Sequence, residues 1–536
     1  MARFSVFHSV RLERQHGHDN DITQPQEPQD VPTEKKREFD SSDESQYDFD
    51  SAEFKNIPEL VRTAVGFEDD PSMPVLTFRS ILLSAIFCAL GSVVSQLSYF
   101  RTTTAPFPVF FVILASDPLG RFLARILPAY KAPLGRFSFS LNPGPWLTKE
   151  HAIVGIAANA GSQGQWATFL PTNDAVYYNL TMNPAVALFF GRGSSLLGFS
   201  FAAMVRAILI DDPEFIFPLS LQQVTLYRSM DTRNRTDKKR AHDQMKMFWV
   251  LLFATFVWQF LPEYLFPFCW ILIPIAYFGN RWGSPTYDIM SNGVFQKKGS
   301  AYPFNDLIYL DSNGMQHVNE TKYEEVGLAY SGAQYTWQMF MWVASYMSSY
   351  VWCAVFLGPK IYKIWKARKQ SGAYHQDRLR ECVALTLVPT VMLLRVVVSK
   401  TIYMPIWTYF VALGFGAAAM LPMSFVYAMS GFSIKVGYFN ELVYGYMVDV
   451  KGSPRHPLGQ LAYRIISGNV WYNARTVLED QKIGHYLHLP PRQVIGIQII
   501  ANTLTLLVNY GVMRWVLATK FECVSGANED SKVYGV

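Results

Sequence analysis

The sequence predicts an all-α polytopic membrane protein, a multi-helix bundle in which some helices are broken or re-entrant. Three observations carry this. Half of the 536 residues are hydrophobic and 15% are aromatic, while 17% are charged, against about 25% in ordinary soluble domains. Several apolar runs approach the roughly 20 residues that a helix needs to cross a bilayer. The polar segments between those runs also differ in charge, as loops on opposite sides of a membrane do.

Taken in order, Leu76 to Phe100 is the first apolar run, with Arg79 near its start and Arg101 beyond its end. Pro106 to Pro128 is the second, with a break expected near Asp117-Pro118. His151 to Ala167 is short and rich in small residues. Pro184 to Ile210 contains Gly191, Gly193 and Gly198. Met247 to Gly279 is long and interrupted by Pro262-Glu263; a helix ending there and continuing as a re-entrant piece is one reading, a missing segment another. Gln334 to Leu357, Val383 to Tyr403, Trp407 to Met429 and Val494 to Leu517 complete roughly nine crossings or partial crossings.

The charge is split along the chain. Residues 1–75 hold 8 Lys and Arg against 17 Asp and Glu, and the remainder holds 39 against 25. The chain thus divides into an acidic, disordered tail (1–55), a membrane domain (56–523) and a polar C-terminal tail (524–536). A basic, apolar body points to the anionic inner leaflet of the bilayer and not to nucleic acid. The basic segments 228–246 and 360–380 are expected to be cytoplasmic. Residues 281–333 then face the other side, with the sequons at Asn319 and Asn179; the sequon at Asn234 lies in a basic loop and is expected to stay unmodified. No cleavable signal peptide is read at the N-terminus. Cys88, Cys269, Cys353, Cys382 and Cys523 show no metal-ligand or disulfide spacing. No metal and no cofactor are expected. GxSxG, Walker A and HExxH motifs are absent, which argues against an enzyme. Asp211-Asp212 beside Pro213 reads as a helix end.

Three regions place Gly, Pro and polar residues among apolar ones. At membrane depth such breaks persist only where protein or a water-filled cavity covers them, and transporters build substrate sites from them. The first is Asn142-Pro143-Gly144-Pro145 followed by Lys149, Glu150 and His151; Thr148 is placed to cap the next helix, and a helix N-terminus pointing inward would attract a carboxylate. The second runs from Ala157 to Pro171, where Asn159, Gln163, Gln165 and Trp166 can hydrogen-bond a peptide backbone. The third is Leu421-Pro422 through Gly445-Tyr446. There Asn440 and Glu441 interrupt an aromatic run, and burial would raise the Glu441 carboxyl toward neutrality, fitting it for a proton or a substrate amine. Against this stands simple pairing of Glu441 with Lys435.

Taken in order, these regions resemble the oligopeptide transporter family of fungi and plants, of the fungal small-oligopeptide type. Asn142-Pro143-Gly144-Pro145 with Lys149-Glu150-His151 resembles the family's NPGPF-x-x-KEH. Asp69-Asp70-Pro71-Ser72 with Thr77-Phe78-Arg79 resembles its DDPS and TFR elements. Gly484-His485-Tyr486 with Pro490-Pro491-Arg492 resembles its GHY-x-K-I-PPR signature, with His488 where Lys is usual. Asn440, Glu441, Gly445 and Tyr446 resemble a further region loosely. The sequence departs from the family in having Phe217-Pro218 for Trp-Pro and Trp352 where His is common, and in lacking material after Trp270, after Arg380 and beyond Cys523.

The resemblance implies a multi-pass transporter bundle. It implies proton-coupled import of small oligopeptides across the plasma membrane, with a peptide substrate, protons and lipid as partners and no ATP. Asn142, Pro143, Gly144, Pro145, Gly445, Pro490, Pro491 and Arg492 take structural roles in this reading. Glu441, Asn440, Glu150, His151, Gln165 and Trp166 are the substrate or proton candidates. A metal-chelate or glutathione carrier of the same family, and a shortened relative that senses or does not transport, are the alternatives.

Overall fold

The computed structural model describes residues 58–524, except 66–68, 102–106, 163–167, 179–180, 232–245, 259–276, 288–292, 311–315, 367–373, 451–455 and several isolated positions. The acidic tail, Gln163, Gln165, Trp166 and the Pro262 interruption lie outside the described residues.

Helix α1 (Phe78–Tyr99) opens with a capping box. The Thr77 hydroxyl accepts from the Ser80 amide at 3.2 Å, and the Ser80 hydroxyl accepts from the Thr77 amide at 2.9 Å. Helix α2 (Val109–Ile126) runs through Pro118 without the expected break. The ring removes only one ladder bond, and Asp117, just before it, pairs with Arg121 in the next turn at 2.9 Å. A short hairpin follows, β1 (Lys131–Leu134) against β2 (Phe137–Ser140). Helix α3 spans Thr148–Ser162 and α4 spans Phe169–Tyr178. Asn183 caps α5 (Pro184–Leu209), and α6 (Pro218–Met230) begins at Phe217, a residue with φ 51°. The chain between them includes Asp211 and Asp212, as the reading of a helix end requires.

The described residues within 281–333 form small elements: single turns at Arg281–Gly283 and Phe304–Leu307, β3 (Val294–Phe295), β4 (Ile308–Leu310), β5 (Gln316–Val318), a helix Glu320–Val326 capped by Asn319, and β6 (Tyr330–Ser331). The pairs β4–β5 and β3–β6 are antiparallel. Helix α7 (Ala333–Trp352) continues through a π-turn at Cys353–Leu357. Helix α8 (Tyr374–Val398) starts within the basic segment. Helix α9 (Ile406–Ser430) passes Pro422 and stops at Gly431, whose φ of 71° makes the left-handed cap. After a non-helical stretch, 431–437, come α10 (Tyr438–Val450) and α11 (Pro457–Arg464). A second π-turn, Ile465–Asn469, carries α11 without a stop into α12 (Val470–Tyr486). Helix α13 (Pro491–Thr519) follows the Pro490 turn.

Among the described residues, five helices are long and apolar enough to cross a membrane: α1, the Pro184–Arg206 part of α5, α7 with its π-turn, α9 and α13. The expected crossing at His151 is a shorter helix in the bundle, and α2 carries too much charge to qualify. The run from α11 through α12 is about 45 Å long at 1.5 Å per residue. Its polarity, not its length, keeps it from qualifying. Fourteen of the 17 residues of α12 are buried, among them Glu479, Asp480, Gln481 and Lys482.

The helices pack around α12. Helices α5, α6, α9, α13 and α3 contact it, while α1 and α2 pack on α3, α13 lies on α1 and α3, and α8 lies on α5. One core is built chiefly from α5, α8, α9, the π-turn and α12, and a second from α1, α3, α6 and α13. Close approach needs small residues. A Cβ on Gly161 of α3 would meet the Cys88 backbone of α1, with its Cα 2.8 Å away, whereas nothing lies within 4 Å of one on Gly414. Gly161→Ala is therefore expected to lower stability by about 1–3 kcal/mol, and Gly414→Ala to hold or raise it. Thermal unfolding midpoints of the two purified variants in detergent check this.

Candidate functional site

The Asn142–Pro145 turn, the Lys149-Glu150-His151 triplet and Arg79 converge. Arg79 is fully buried and uses every N–H it has. Its Nε and one terminal nitrogen donate to the two Glu150 oxygens at 3.2 and 2.6 Å. The remaining donors reach Asn142 Oδ1 at 3.0 Å, the Gly144 carbonyl at 2.7 Å and the Pro145 carbonyl at 2.8 Å. A guanidinium has five N–H groups in a planar fork, and all five are matched. The Trp146 ring lies 5.4 Å away. Asn142 sends both amide hydrogens to the Ala124 and Leu127 carbonyls at the end of α2, at 2.8 and 2.7 Å, satisfying orphan acceptors of that terminus.

The neighbouring motif residues complete this node. Lys149 donates to Asp69 Oδ1 at 2.7 Å and to the Asp70 carbonyl at 2.9 Å. The Thr148 hydroxyl donates to Asp231 and is a tie to the end of α6, not the helix cap expected of it. His151 Nε2 lies 2.8 Å from the Ile113 carbonyl, and its ring meets Tyr227 edge-on at 4.9 Å. His488, in the turn before Pro490, faces Asp69 and Lys149; burial, the larger influence, and Lys149 hold its imidazole below the usual range, against the pull of Asp69. The first and last motifs of the sequence thus meet in space. Pro490, Pro491 and Arg492 are exposed at the start of α13, where the Pro490 carbonyl accepts from Gln493 and Val494 at 3.0 and 3.2 Å. Glu150, a proton candidate from sequence, is locked to Arg79 with no exposed surface on either side chain.

Glu441 and Asn440 stand apart from that node, at the start of α10. Glu441 accepts from Arg464 at 2.9 Å, and the two side chains are 21% and 17% exposed. Its partner is therefore Arg464 and not Lys435. Arg464 lies 4.3 Å over the Tyr438 ring, which stacks on Trp342 at 4.6 Å. Asn440, fully buried, donates to Ser467 Oγ at 3.0 Å. Gly445 faces open space.

Between the two clusters lies a third that the sequence reading did not single out. Glu479 and Asp480 are adjacent on α12, so they leave the helix about 100° apart and reach different neighbours. Glu479 accepts from Gln223 of α6 at 2.9 Å and from the Tyr427 hydroxyl of α9 at 2.6 Å. Asp480 accepts from Asn159 of α3 at 2.8 Å and from Gln498 of α13 at 2.9 Å. Each of these four side-chain donors is neutral. Lys482, fully buried, donates to the Ile210 carbonyl at 2.9 Å and the Asp212 carbonyl at 3.3 Å, placing a positive charge at the C-terminus of α5. A signal for this helix was present: no proline interrupts the chain between Pro457 and Pro490, and Val470, Trp471, Ala474, Val477 and Leu478 recur at helical spacing. Its charge concealed it from an apolar-run search. No group of three or more metal-ligating side chains occurs among the described residues.

The geometry of the Arg79 node makes the stability of the fold depend on it. Arg79→Met leaves Glu150 buried without its counter-charge, and breaking a buried pair from one side costs about 3–5 kcal/mol. The variant is expected to lose most of its folded yield. The double variant Arg79→Met/Glu150→Met should recover part of it, and monodisperse protein on gel filtration is the measurement.

The family model described as OPT oligopeptide transporter protein matches residues 75–269 and 267–533. Oligopeptide transporter 5 of Arabidopsis thaliana is 26% identical over 546 positions, covering 86% of this chain and 71% of that protein. Oligopeptide transporter 3 of the same plant is 24% identical, covering 87% and 73%. Oligopeptide transporter 1 of Saccharomyces cerevisiae is 22% identical, covering 85% and 66%. The comparison with the first runs over 546 positions, more than the 536 residues of this chain, so that relative carries internal segments without a counterpart here. Five helices of membrane-crossing length, the motif residues joined through Arg79, Lys149 and His488, and a match over most of the sequence lead to one assignment. The chain is a multi-pass membrane protein of the OPT oligopeptide transporter family, whose members are transporters and not enzymes.

Proposed function

We propose that this protein imports small oligopeptides across the plasma membrane in symport with protons, with the basic segments 228–246 and 360–380 on the cytoplasmic side. The observation that carries the reading is Asp480, a buried carboxylate in mid-bundle held by neutral amides. A carboxylate in an ion pair loses that pair when it takes a proton. Asp480 has no such partner among the described residues, and a buried ionisable group in a membrane bundle is a functional candidate by default. The amides of Asn159 and Gln498 can turn over to present a carbonyl to the protonated acid. Gln498 Oε1 is buried and without a partner as the side chain now stands.

Glu441 supplies the second half of the cycle. Its bond to Arg464 is only partly buried. A proton on Glu441 would free Arg464, and a substrate carboxylate would compete for the same guanidinium. Proton binding and peptide binding would then support each other, as reciprocal linkage requires. In this reading Glu150 and His151 position the Asn142–Pro145 turn beside the end of α6 that enters the basic segment. Gln165 and Trp166 keep their candidacy as substrate contacts.

Cells expressing the full chain should take up a labelled tetrapeptide above empty cells, and an uncoupler should abolish the excess. Asp480→Asn should lose accumulation against a gradient by at least tenfold while still exchanging internal for external peptide. Uptake indifferent to the uncoupler would overturn proton coupling, and no uptake by chain confirmed at the cell surface would overturn peptide import.

A further inference from the structure

The π-turn between α11 and α12 and the helices beside it hold polar atoms without a hydrogen-bond partner among the described residues. Asn469 is 1% exposed, yet both its amide nitrogen and its amide oxygen lack a hydrogen-bond partner. Arg464 Nε and Arg475 Nε are also buried without acceptors. Buried polar groups are normally paired, so two open donors and one open acceptor at Asn469 and Arg464, with a third open donor at Arg475 six residues along the helix from Asn469, call for an occupant. Gly437 adjoins it: with φ 119°, its missing Cβ would lie 3.0 Å from Asn469 Oδ1 and 3.1 Å from Arg464 Nε. A side chain there would press on both groups.

Three cations gather here, with Glu441 paired to Arg464 and Asp480 within electrostatic reach of Arg475. Arg475 lies over the Tyr427 and Trp471 rings at 5.1 and 6.0 Å. Lys435 is within electrostatic reach of both Arg475 and Arg464. Of these three cations, Arg464 alone has a salt-bridge partner among the described residues, in Glu441. Lys435 is exposed and Arg475 half-buried, so the cluster is open at that end and closed at Asn469. π-turns inside α-helices frequently mark functional sites, because the extra residue re-aims side chains.

We propose that Asn469, Arg475, Arg464 and Lys435 form the subsite for the C-terminal carboxylate of a peptide substrate, with Asn469 bonding its last amide. This rests on the peptide-import reading and deepens it. The chemistry fits an extended chain end. Arginine forks match a carboxylate. A primary amide offers one donor and one acceptor, which is what a peptide backbone needs. Trp342, Tyr438, Trp471 and Tyr472 supply ring faces around the site for varied side chains.

The test uses the purified full-length chain in detergent and two probes, labelled tetra-alanine with a free C-terminus and the same peptide C-terminally amidated. The free acid should bind at least tenfold more tightly. Asn469→Ala should weaken both probes alike, because the amide it bonds is common to them. In Arg475→Gln the preference should fall to twofold or less, because affinity for the acid drops to that for the amide. Arg475→Lys should recover part of it. Equal binding of the two probes by the unaltered chain would overturn the subsite while leaving peptide import standing. Loss of binding to both probes in equal measure in the folded Arg475→Gln variant would also overturn it. Binding of neither probe would overturn the peptide reading and this subsite together.

Discussion

Helix α12 carries three charged side chains into the interior, and the surrounding bundle is arranged to receive them. A buried charge is tolerated only when paired or fully hydrogen-bonded, so each charge fixes the position of a neighbour. Glu479 fixes α6 and α9 through Gln223 and Tyr427. Asp480 fixes α3 and α13 through Asn159 and Gln498. Lys482 fixes the end of α5. The turn from α5 to α6 wraps the same helix, with Tyr486 donating to the Ile216 carbonyl at 2.8 Å. Phe217, in its left-handed conformation, donates its amide to the Ala428 carbonyl at 2.9 Å. Apolar packing brings helices together without choosing among rotations of them. These directional bonds choose one.

The Arg79 node works by the same rule at one end of the bundle. Its motif residues are far apart in sequence, but each is explained by a neighbour's unmet need. Asn142 answers the last carbonyls of α2, Glu150 answers Arg79, and Arg79 answers carbonyls that the two prolines leave outside any helix. Saturation suits a node of this kind to rigidity.

The sequence made the fold class legible because apolar runs such as Phe78–Tyr99 and Ile406–Ser430 register directly in composition. The Asn142–Pro145 turn was legible because Pro and Gly dictate local geometry without reference to distant residues. Pro118 misled in the other direction, since a proline removes one ladder bond, and packing of α2 against its neighbours carries the helix past it. The site was legible only in part. Glu441 was visible as a carboxylate in an aromatic run, but its partner Arg464 belongs to another helix. Glu479 and Asp480 go unmarked in the sequence, because nothing in it states that five helices contact α12. Asn469 gave no signal at all: an asparagine is unusual only once its environment is shown to leave it unpaired.

The three clusters differ in what remains open, and that difference orders them along a single element. At 1.5 Å per residue, Asp480 lies about 16 Å along the helix from Asn469, and Tyr486 is a turn and a half further on, beside the His488 turn. At the Arg79 end every donor is matched. At Glu479 and Asp480 the carboxylates are matched by neutral groups that can reorient. At Asn469 donors and an acceptor stand unmatched beside excess positive charge. In the proposed cycle, a rigid end, a middle that exchanges a proton and an end that takes the ligand would form the sequence of properties that coupling requires. Substrate at one end of a stiff polar helix and a proton in its middle would act on the same five neighbouring helices. The coupling between them needs no separate pathway, only the helix that already holds them all.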